Sequence, residues 1–532
     1  MGASIYPDFP PKTTLEQQDY LLSNIKDWSI LNGLAIRPST SLLSTSTDLS
    51  GTLAATAPVT LYPSLFPRAC FHEARAIQKA YNELYAAIAR DQNWLRQIVQ
   101  QLIEVDDFIA SLWNVHLEVE KEGYVQNLSL GLFRSDYMVH TDPANPDSKP
   151  TIKQVEFNTI ASSFGGLSTK VSQLHSYLNE IAAYPPTSPP TIAYPSFPAN
   201  PCIESLSHGF STAHRAYGPS KSSPSLPLCI LFIVTVPESN IFDQLALSTP
   251  LQTAYEIPTF RLAFSAILDH TTVSSNKHRI LNYSPPHSPE MSYEVSLVYF
   301  RAGYSPSHYP SSASWDARLH LERSAAIKCP SILTHLAGSK KIQQELATPN
   351  SPHLANFLSR TSSADLIDRI RNTFTAIYPL DDTPEGQHAI RLATSAKDSE
   401  GYVLKPQREG GGNNVYGSKI PAFLAGLGDD QQRWRSHILM ELIKPPTLRN
   451  SILRNGEVQS GEVIGELGVY GVCLWRNGHD EAGGKKNGGD ADGEVLENWE
   501  AGFLLRTKGS ESEEGGVAAG FGAVDSPCLV DV

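Results

Sequence analysis

Apolar residues recur at helical spacing in the first quarter of the chain. Ile77, Tyr81, Leu84 and Ile88 follow one another at steps of three and four residues, with charged and amide side chains between them. This spacing places the four side chains along one stripe of a helix. We therefore predict that residues 71 to about 122 form packing helices.

The pattern then changes to one that is typical of β-strands. Residues 128–139 (LSLGLFRSDYMV) and 151–160 (TIKQVEFNTI) alternate or run apolar. Residues 228–236 (LCILFIVTV) form the longest apolar run, which is far too short to span a bilayer and is rich in β-branched residues. With a second apolar run at 294–300 (EVSLVYF) and helical stretches such as 316–327 (DARLHLERSAAI), it predicts an α/β unit.

Three segments interrupt these patterns. Residues 185–200 and 218–227 are rich in Pro and Ser, so we expect exposed connectors there. Residues 477–494 contain Gly, Asp and Lys and almost no apolar side chain, which is typical of a flexible surface insertion. The predicted domains are therefore residues 1–227, residues 228–340 and residues 341–532.

Composition changes this picture mainly by limiting the class of partner. The chain has 532 residues, 41% of them hydrophobic and 18% charged, as in a folded globular protein. Its net charge of −13 argues against a general nucleic-acid or acidic-membrane binder. Such a chain binds anions only where its cations are gathered at one site.

Cysteine usage and the start of the sequence suggest a compartment. Six widely separated cysteines form no CxxC pair and no Cys/His cluster, which argues against a zinc site and a disulfide framework and suits a reducing environment. The first twelve residues lack the apolar core of a signal peptide. We therefore expect a soluble, cytoplasmic protein without a membrane partner.

One strand pattern offers ligands for a metal ion. If residues 153–160 are a strand, Val155 and Phe157 share one face, and Gln154, Glu156 and Asn158 share the other. Carboxylate and amide oxygens are ligands that Mg²⁺ accepts beside phosphate oxygens. An ordinary half-exposed strand would show the same alternation.

A glycine-rich segment, KPQREGGGNN, occupies residues 405–414. It is neither a Walker A loop nor a GxGxxG fingerprint. Successive glycines nevertheless present unshielded backbone N–H groups to an anion, and Lys405 adds a positive charge. Glu409 would oppose phosphate by itself, so we expect it to share a metal ion with Glu156 and Asn158.

A second small-residue loop, RTKGSESEEGGVAAG, occupies residues 506–520, and its Arg506 and Lys508 follow the apolar GFLL. Further cations that we assign to the same site are Arg134, Arg301 and Lys340. No GxSxG, HExxH or Cys/His motif is present, so covalent-nucleophile and zinc mechanisms lack support.

Taken in order, these segments resemble the eukaryotic-type glutathione synthetases of the ATP-grasp superfamily. The resemblance runs through most of the chain from Ala57 onward and rests on the following series of motifs: APVTLYPSLFP, LGLFRSDYM, EFNTIASSFGGL, NIFDQ, ERSAAIKCPSILTHLAGSKKIQQEL, VLKPQREGGGNNVYG, ILMELI, GELGVYGV and LLRTK…EEGGVAAG. It leaves out the Pro-rich connectors, residues 271–292 and the 477–494 insertion.

The resemblance implies a mixed α/β ATP-grasp fold. Residues 1–227 would supply packing helices and the first strands, residues 228–340 an inserted α/β substrate-binding domain, and residues 341–532 the remaining ATP-grasp region with a glycine-rich lid. It further implies a homodimer that ligates γ-glutamylcysteine to glycine with ATP and Mg²⁺ and binds no nucleic acid.

The family's functional residues carry over position by position. The implied metal ligands are Glu156, Asn158 and Glu409, and the implied catalytic residues are Arg134, Lys405 and Arg506. The implied ATP contacts are Glu156, Lys340, Lys405, Pro406, Gln407, Arg408, Glu409, Gly410, Gly411, Gly412, Asn413, Asn414, Tyr416, Met440, Glu441, Leu442, Ile443, Glu466, Lys508 and Glu514. The implied substrate contacts are Arg134, Ile160, Ala161, Ser162, Ser163, Glu238, Ser239, Asn240, Gln244, Arg301, Ala302, Gly303, Tyr304, Arg506, Val517 and Ala518.

Two alternatives remain at this point. One is a non-catalytic ATP-binding protein that keeps the fold, although such a protein would be expected to lack a metal ligand or the arginine at the acyl centre. The other is a related ligase that adds a different final amino acid.

Overall fold

The computed structural model describes residues 5–38, 51–142, 144–145, 148–186, 196–407, 413–428, 431–478, 493–512 and 522–532. Its mixed α/β architecture confirms the predicted fold class. Among the described residues, none of the helices combines the length and the apolar character that crossing a membrane requires.

Four helices precede residue 128 in the described part of the chain. They are α1 (Leu15–Asn32), α2 (Arg68–Arg90), α3 (Gln92–Gln100) and α4 (Asp107–Glu122). Side-chain caps mark the starts of three of them, α1, α3 and α4. The Asp91 carboxylate accepts from the Trp94 N–H at the start of α3, and Asp106 accepts from the N–H groups of Phe108 and Ile109 at the start of α4. The helices predicted at 71–122 are thus confirmed, with breaks at the two capping aspartates.

The remaining helices pack around the sheets. They are α5 (Gly165–Glu180), α6 (Cys202–Tyr217), α7 (Ile241–Thr253), α8 (Ile267–His270), α9 (Ser312–Glu322), α10 (Ile332–Ala337), α11 (Lys340–Ala347), α12 (His353–Leu358), α13 (Ala364–Thr373), α14 (Pro384–Thr394) and α15 (Ile420–Gly426). The helix expected at 316–327 ends at Glu322, because Ile327 already begins a buried strand. That expectation was therefore wrong over its last five residues.

The first twelve strands precede residue 330. They are β1 (Ala35–Ile36), β2 (Ala55–Thr56), β3 (Val59–Thr60), β4 (Ser64–Pro67), β5 (Leu128–His140), β6 (Thr151–Asn158), β7 (Leu228–Val234), β8 (Thr259–Ala263), β9 (Thr271–Val273), β10 (Leu281–Tyr283), β11 (Tyr293–Phe300) and β12 (Ile327–Cys329). The four strands predicted from apolar runs correspond to β5, β6, β7 and β11 and are confirmed.

The later strands include the two longest ones. They are β13 (Ile377–Pro379), β14 (Tyr402–Pro406), β15 (Val415–Tyr416), β16 (His437–Glu441), β17 (Leu448–Arg454), β18 (Glu457–Arg476), β19 (Val495–Gly509), β20 (Gly522–Asp525) and β21 (Pro527–Val530). The expected insertion lies between β18 and β19, mostly outside the described residues.

A large mixed sheet of 13 strands forms the centre of the molecule. Its main path runs β17-β3-β20-β19-β18-β5-β12-β11-β10-β9, with β6 paired to β5 and β7 placed between β11 and β8. Strand β12 pairs in parallel with β5 and thereby joins the strands of the 228–340 region to the rest of this sheet. The division into three domains stays a prediction.

Helices cover both faces of the large sheet. Phe133 and Tyr137 of β5 face a core shared with α2, α4 and α10, whereas Leu130 and Leu132 face a core shared with α5, α6 and α7. Alternating side chains of one strand therefore serve two cores. Because both faces are buried, a polar side chain inside this sheet needs a specific partner.

A smaller sheet contains four strands in the order β13-β16-β14-β15, none of which pairs with a strand of the large sheet over the residues that the structure describes. Strands β14 and β16 pair antiparallel, with Lys405 opposite Ile438. Two small apolar clusters lie on the two faces of this sheet, one built on Leu404 and Leu439 and the other on Val403 and Met440. The glycine-rich segment begins at Lys405, within the last two residues of β14.

The connectors differ in how far the structure describes them. Residues 218–227 contain no helix or strand and are mainly exposed, as predicted. The buried Glu294 carboxylate anchors them by accepting hydrogen bonds from Ser220 and Ser222 and from the Lys221 N–H. The other connector comprises residues 185–200, and most of it, namely residues 187–195, lies outside the described residues.

Candidate functional site

Charged side chains gather on one face of four adjacent strands, β6-β5-β18-β19. Register places Arg134 opposite Asn158, Asp136 opposite Glu156, and Glu466 opposite Arg506. Directly opposed residues on neighbouring strands point to the same side. We call the group formed by these six residues with Lys340 and Lys405 the cleft cluster.

Asp136 is the centre of the cleft cluster. Its fully buried carboxylate accepts from Arg134 Nε and Nη2 at 2.6 and 2.9 Å, from Asn158 Nδ2 at 2.9 Å and from Arg506 Nη2 at 2.9 Å. Such paired, charge-assisted bonds fix geometry as well as charge. Sequence analysis missed Asp136, although it lies two residues after Arg134 on one strand and therefore on the same face.

A glycine makes room for this arrangement. A Cβ at Gly468 of β18 would lie 2.7 Å from Asp136 Oδ1 and 2.7 Å from Arg134 Cδ. Any other residue at this position would displace the ion pair. Gly468 lies within the GELGVYGV motif.

Two lysines reach the cleft cluster from outside the four strands. Lys340, the first residue of α11, places its Nζ 2.9 Å from the Glu156 carboxylate. Lys405 of β14 donates to the Val155 carbonyl at 2.9 Å, so the small sheet contacts the large one here. The glycine-rich segment, whose first residue is Lys405, therefore starts at this contact.

The lysines and carboxylates shift one another's ionisation. Burial raises the pKa of Glu156, but Lys340 and Lys405 overcome this effect, so the carboxyl pKa lies well below its usual range. Burial lowers the pKa of Lys405 to about 8 against the opposing effect of Glu156. Glu156 is thus ionised at neutral pH. Additional negative charge near Lys405 would raise the pKa of this lysine.

A third carboxylate completes the cleft cluster. Glu466 forms an ion pair with Arg506, which also contacts Asp136. Burial first, and then the charges of Asp136 and Glu156, raise the pKa of Glu466 despite that arginine. A carboxylate whose ionisation is disfavoured by its neighbours would be stabilised by an additional cation.

The donor set fits the Mg²⁺ that the resemblance implies. Asn158 Nδ2 donates to Asp136 and to the Arg134 carbonyl at 3.2 Å, which turns the amide oxygen away from both. Oxygen donors of Glu156 and Asn158 on one face are the hard ligands that this ion prefers. Within the described ranges, no group of three His, Cys, Asp or Glu forms a complete metal site. The third predicted ligand, Glu409, lies outside those ranges.

The strand that carries these ligands departs from simple alternation. An irregularity between Asp136 and Tyr137 of β5 pairs Tyr137 with Gln154 rather than with Val155. Gln154 consequently donates to Ser135 at 2.9 Å, on the face of Phe157. The prediction that Gln154 shares a face with Glu156 and Asn158 was wrong, because one extra residue in a strand reverses all side chains beyond it.

The loop after β6 connects the cleft cluster to a second group of predicted residues. The Ser163 carbonyl accepts from Arg134 Nη1 at 3.1 Å and from the Tyr470 hydroxyl at 2.5 Å. Ala161 and Phe164 have φ angles of 53° and 73°, in the region that non-glycine residues rarely adopt. This strained turn holds Ile160 to Ser163 against the cluster.

Asp243, which sequence analysis also missed, organises the second group. Its carboxylate accepts from the N–H groups of Phe164 and Gly166 at 2.9 and 2.7 Å and pairs with Arg301 at 3.0 Å. It thereby ties the start of α5 to the segment after β11. Asp243 lies between two predicted substrate contacts, Asn240 and Gln244, and this position could have indicated its role.

The predicted substrate contacts at 238–244 and 301–304 surround Asp243. Glu238 accepts from the Gln244 amide at 2.6 Å. Burial lowers the pKa of Arg301, but Tyr299 and then the carboxylates of Asp243 and Glu238 outweigh this effect, so the pKa is raised. Gly303 has a φ of 89°, and a Cβ there would lie 3.1 Å from both Phe264 and Tyr309. The remaining predicted residues of these segments are Ser239, Asn240, Ala302 and Tyr304.

Besides Lys405, the small sheet contributes an apolar face. Met440 packs with Val403, while Tyr416, Leu442 and Ile443 pack around them. The Leu442 N–H donates to the Gly401 carbonyl at 2.9 Å, and the contact of Leu442 with adenine, which is expected from its backbone only, stays a prediction.

Seven of the predicted residues meet in the cleft cluster, namely Arg134, Glu156, Asn158, Lys340, Lys405, Glu466 and Arg506. The predicted residues on or next to the small sheet are Lys405, Pro406, Gln407, Asn413, Asn414, Tyr416, Met440, Glu441, Leu442 and Ile443. Lys508 lies on β19, two residues beyond Arg506 and hence on its face. The predicted residues outside the described ranges are Arg408, Glu409, Gly410, Gly411, Gly412, Glu514, Val517 and Ala518.

Known proteins share this sequence along almost its whole length. A family model described as the eukaryotic glutathione synthase, ATP binding domain, matches residues 15–529. The glutathione synthetase large chain of Schizosaccharomyces pombe is 39% identical over 532 residues, which cover 97% of this chain and 98% of that protein. The glutathione synthetase of Homo sapiens is 36% identical over 513 residues, which cover 96% of this chain and 97% of that protein.

The fold is also found in a solved structure. A glutathione synthetase-like effector from Globodera pallida, in its apo form, aligns with a TM-score of 0.69 over 98% of both chains. At 20% sequence identity, this likeness establishes the fold alone.

Proposed function

The chain belongs to the eukaryotic glutathione synthases, which are ATP-dependent ligases, and we propose that the cleft between its two sheets joins γ-glutamylcysteine to glycine. The observation that carries this proposal is the convergence of arginines and lysines with oxygen ligands on one face of four strands. This acidic chain thus concentrates cations where a nucleotide and a carboxylate substrate would meet.

The chemistry requires two group transfers. A carboxylate oxygen of the cysteinyl residue attacks the γ-phosphorus of ATP, and the bond to ADP breaks to give an acyl phosphate. The glycine nitrogen then attacks the acyl carbon and loses a proton, and the carbon–oxygen bond to phosphate breaks. Positioning and charge neutralisation are sufficient for such steps, so no covalent nucleophile is needed.

Each cation of the cleft cluster has a role in this scheme. Lys340 and Lys405 neutralise phosphate oxygens, and Arg134 stabilises the oxyanion of the tetrahedral intermediate. Arg506 reaches the same centre from β19, and Asp136 holds both arginines in place. Arg301, aligned by Asp243, binds the carboxylate at the far end of the dipeptide.

The proposal includes Mg²⁺ held by Glu156, Asn158 and Glu409. Bound there, the ion would offset phosphate charge, which is its usual contribution to phosphoryl transfer. Glu409→Gln keeps the size of the side chain and removes its charge, so we expect turnover to fall by orders of magnitude while the fold survives. Near-normal turnover at saturating Mg²⁺ would reject Glu409 as a ligand.

One assay separates this function from both alternatives. We expect ADP release to require γ-glutamylcysteine and to increase on addition of glycine. ATP binding without turnover would indicate a non-catalytic protein, and stimulation by another amino acid rather than by glycine would indicate a related ligase.

We also propose a cytoplasmic homodimer. The outer face of α1 exposes Tyr20 and Leu31, which are 53% and 84% accessible and offer an apolar surface for a second copy. All six cysteines are buried and free, which suits a reducing compartment. Light scattering of the purified chain tests the dimer, and Leu31→Glu is expected to produce monomers.

A further inference from the structure

A small cavity lies beneath the start of the glycine-rich segment. It is bounded by Phe108, Ile109 and Leu112 of α4 on one side, and by His335, Gly338, Ser339 and Gln407 on the other. The centre of a water-sized sphere can move through a volume of about 10 Å³ inside this cavity. This is about the room that one water molecule needs.

Three polar atoms of the lining residues have no hydrogen-bond partner among the residues that the structure describes. They are His335 Nδ1, Ser339 Oγ and Gln407 Nε2. The three residues that carry these atoms are only 6%, 6% and 1% exposed to solvent, respectively. A buried polar group without a partner costs about 1–3 kcal/mol, so three such groups around one cavity require an explanation. Ser339 stands at the N-cap of α11, yet its hydroxyl does not cap the helix.

The chemistry of the three atoms identifies the class of ligand. Gln407 Oε1 accepts from the Lys341 N–H at 2.7 Å, which fixes the amide so that Nε2 is the free donor. A donor at this position disfavours a metal cation. Burial, and then the charge of Arg318, hold the pKa of His335 well below its usual value, so the ring is neutral and does not favour an anion. The ligand must therefore be small and neutral and must both donate and accept.

We propose that one ordered water molecule occupies this cavity and bridges His335 Nδ1, Ser339 Oγ and Gln407 Nε2. Three partners are typical of buried waters. The bridge joins the end of α10 and the start of α11 to the end of β14. Since α11 begins with Lys340 and β14 carries Lys405, the water adds to the direct Lys341–Gln407 hydrogen bond in fixing the relative position of the two lysines.

A crystal structure of the full chain, at a resolution that shows ordered waters, tests the site directly. We expect one density peak within hydrogen-bonding distance of all three atoms. Absence of a peak, or a direct hydrogen bond between two of the three side chains, would overturn the proposal. This measurement does not depend on the proposed reaction.

Variants test the role of the bridge. Ser339→Ala removes one partner and should weaken or abolish the peak and raise the KM for ATP several-fold, with a smaller change in kcat. Ser339→Thr keeps the hydroxyl and should restore both. Ser331→Ala is the matched control, because this N-cap serine of α10 bonds to Thr334 and does not line the cavity. Equal effects of Ser339→Ala and Ser331→Ala on the KM for ATP would reject the positioning role.

Discussion

Two groups of buried charges in this protein look alike in composition and differ in arrangement. One is the cleft cluster. The other, which we call the α9 cluster, lies beneath the segment that follows β11 and consists of Arg318, Glu322, Lys328 and His335. Each contains an arginine, a carboxylate and a lysine whose pKa burial lowers to about 8.

The two clusters differ in how completely their charges are paired. In the cleft cluster, the Arg134–Asp136 pair is closed by two bonds of 2.6 and 2.9 Å, and the same carboxylate binds Arg506. In the α9 cluster, Arg318 lies 3.6 Å from Glu322 and stacks 4.0 Å above the ring of Phe300. Burial and a shifted pKa therefore do not by themselves mark a functional site. The proposed role of the cleft cluster rests instead on the charged residues that converge on it from several strands.

Removing the central charge of each cluster should give the largest contrast. Asp136→Asn keeps the shape but releases Arg134 and Arg506, so we expect kcat/KM to fall by about 10²–10³-fold. Glu322→Gln should lower the thermal unfolding midpoint, because breaking a buried pair is costly, and leave kcat/KM of the folded enzyme within a few-fold. Similar kinetic losses in both variants would refute the distinction.

The two lysines with matching pKa values provide a second contrast. Lys405→Met should reduce kcat/KM for ATP by about 10- to 100-fold, since bonds to charged groups contribute about 1.5–3 kcal/mol. Lys328→Met should leave it almost unchanged, because Lys328 donates to the Ser324 carbonyl far from the cleft cluster. Steady-state kinetics at saturating dipeptide and glycine measure both. A large loss in Lys328→Met would show that the α9 cluster serves catalysis.

Gly303 lies in the predicted substrate segment that follows Arg301 and borders the α9 cluster, with Arg318 Nη1 3.7 Å from the position of a Cβ. We expect Gly303→Ala to raise the KM for γ-glutamylcysteine about tenfold, because the left-handed conformation costs about 1–2 kcal/mol for other residues and the methyl group would press on Tyr309. The control is Gly218→Ala, which has a φ of 85° but no atom within 4 Å of the Cβ position. An unchanged KM in Gly303→Ala would show that the segment tolerates displacement.

The smallest effect concerns pH. The pKa of Lys328 is about 8 in the folded protein and close to 10.5 in the unfolded chain. Lys328 therefore holds its proton more tightly in the unfolded chain, and the free energy of unfolding increases as the pH rises between those two values. We therefore expect the stability advantage of Lys328→Met over the wild type to be greatest below pH 8 and to shrink by about 1–3 kcal/mol toward pH 10.5. Denaturant unfolding at several pH values measures it, and an advantage independent of pH would contradict the shifted pKa.

Local elements were accessible from the sequence because periodicity reports burial directly. The stripe of Ile77, Tyr81, Leu84 and Ile88 appears as the buried face of α2, and the apolar runs appear as strands of the large sheet. Where a segment changed element within one pattern, as after Glu322, periodicity could not place the boundary. The missed Asp136 and Asp243 are acidic residues beside predicted basic or amide residues, and only their hydrogen bonds reveal that they hold those residues in place.

The sequence by itself determined the family, the ordered motifs and most members of the cleft cluster, since these depend on residue identity and local spacing. Only the tertiary structure decided that Gln154 turns away from Glu156, that Asp136 joins both arginines, and that His335, Ser339 and Gln407 line one cavity. The reason is physical: strand register, a single irregularity in pairing and the approach of two sheets depend on contacts between residues far apart in the chain. Alternation within one segment carries no information about them.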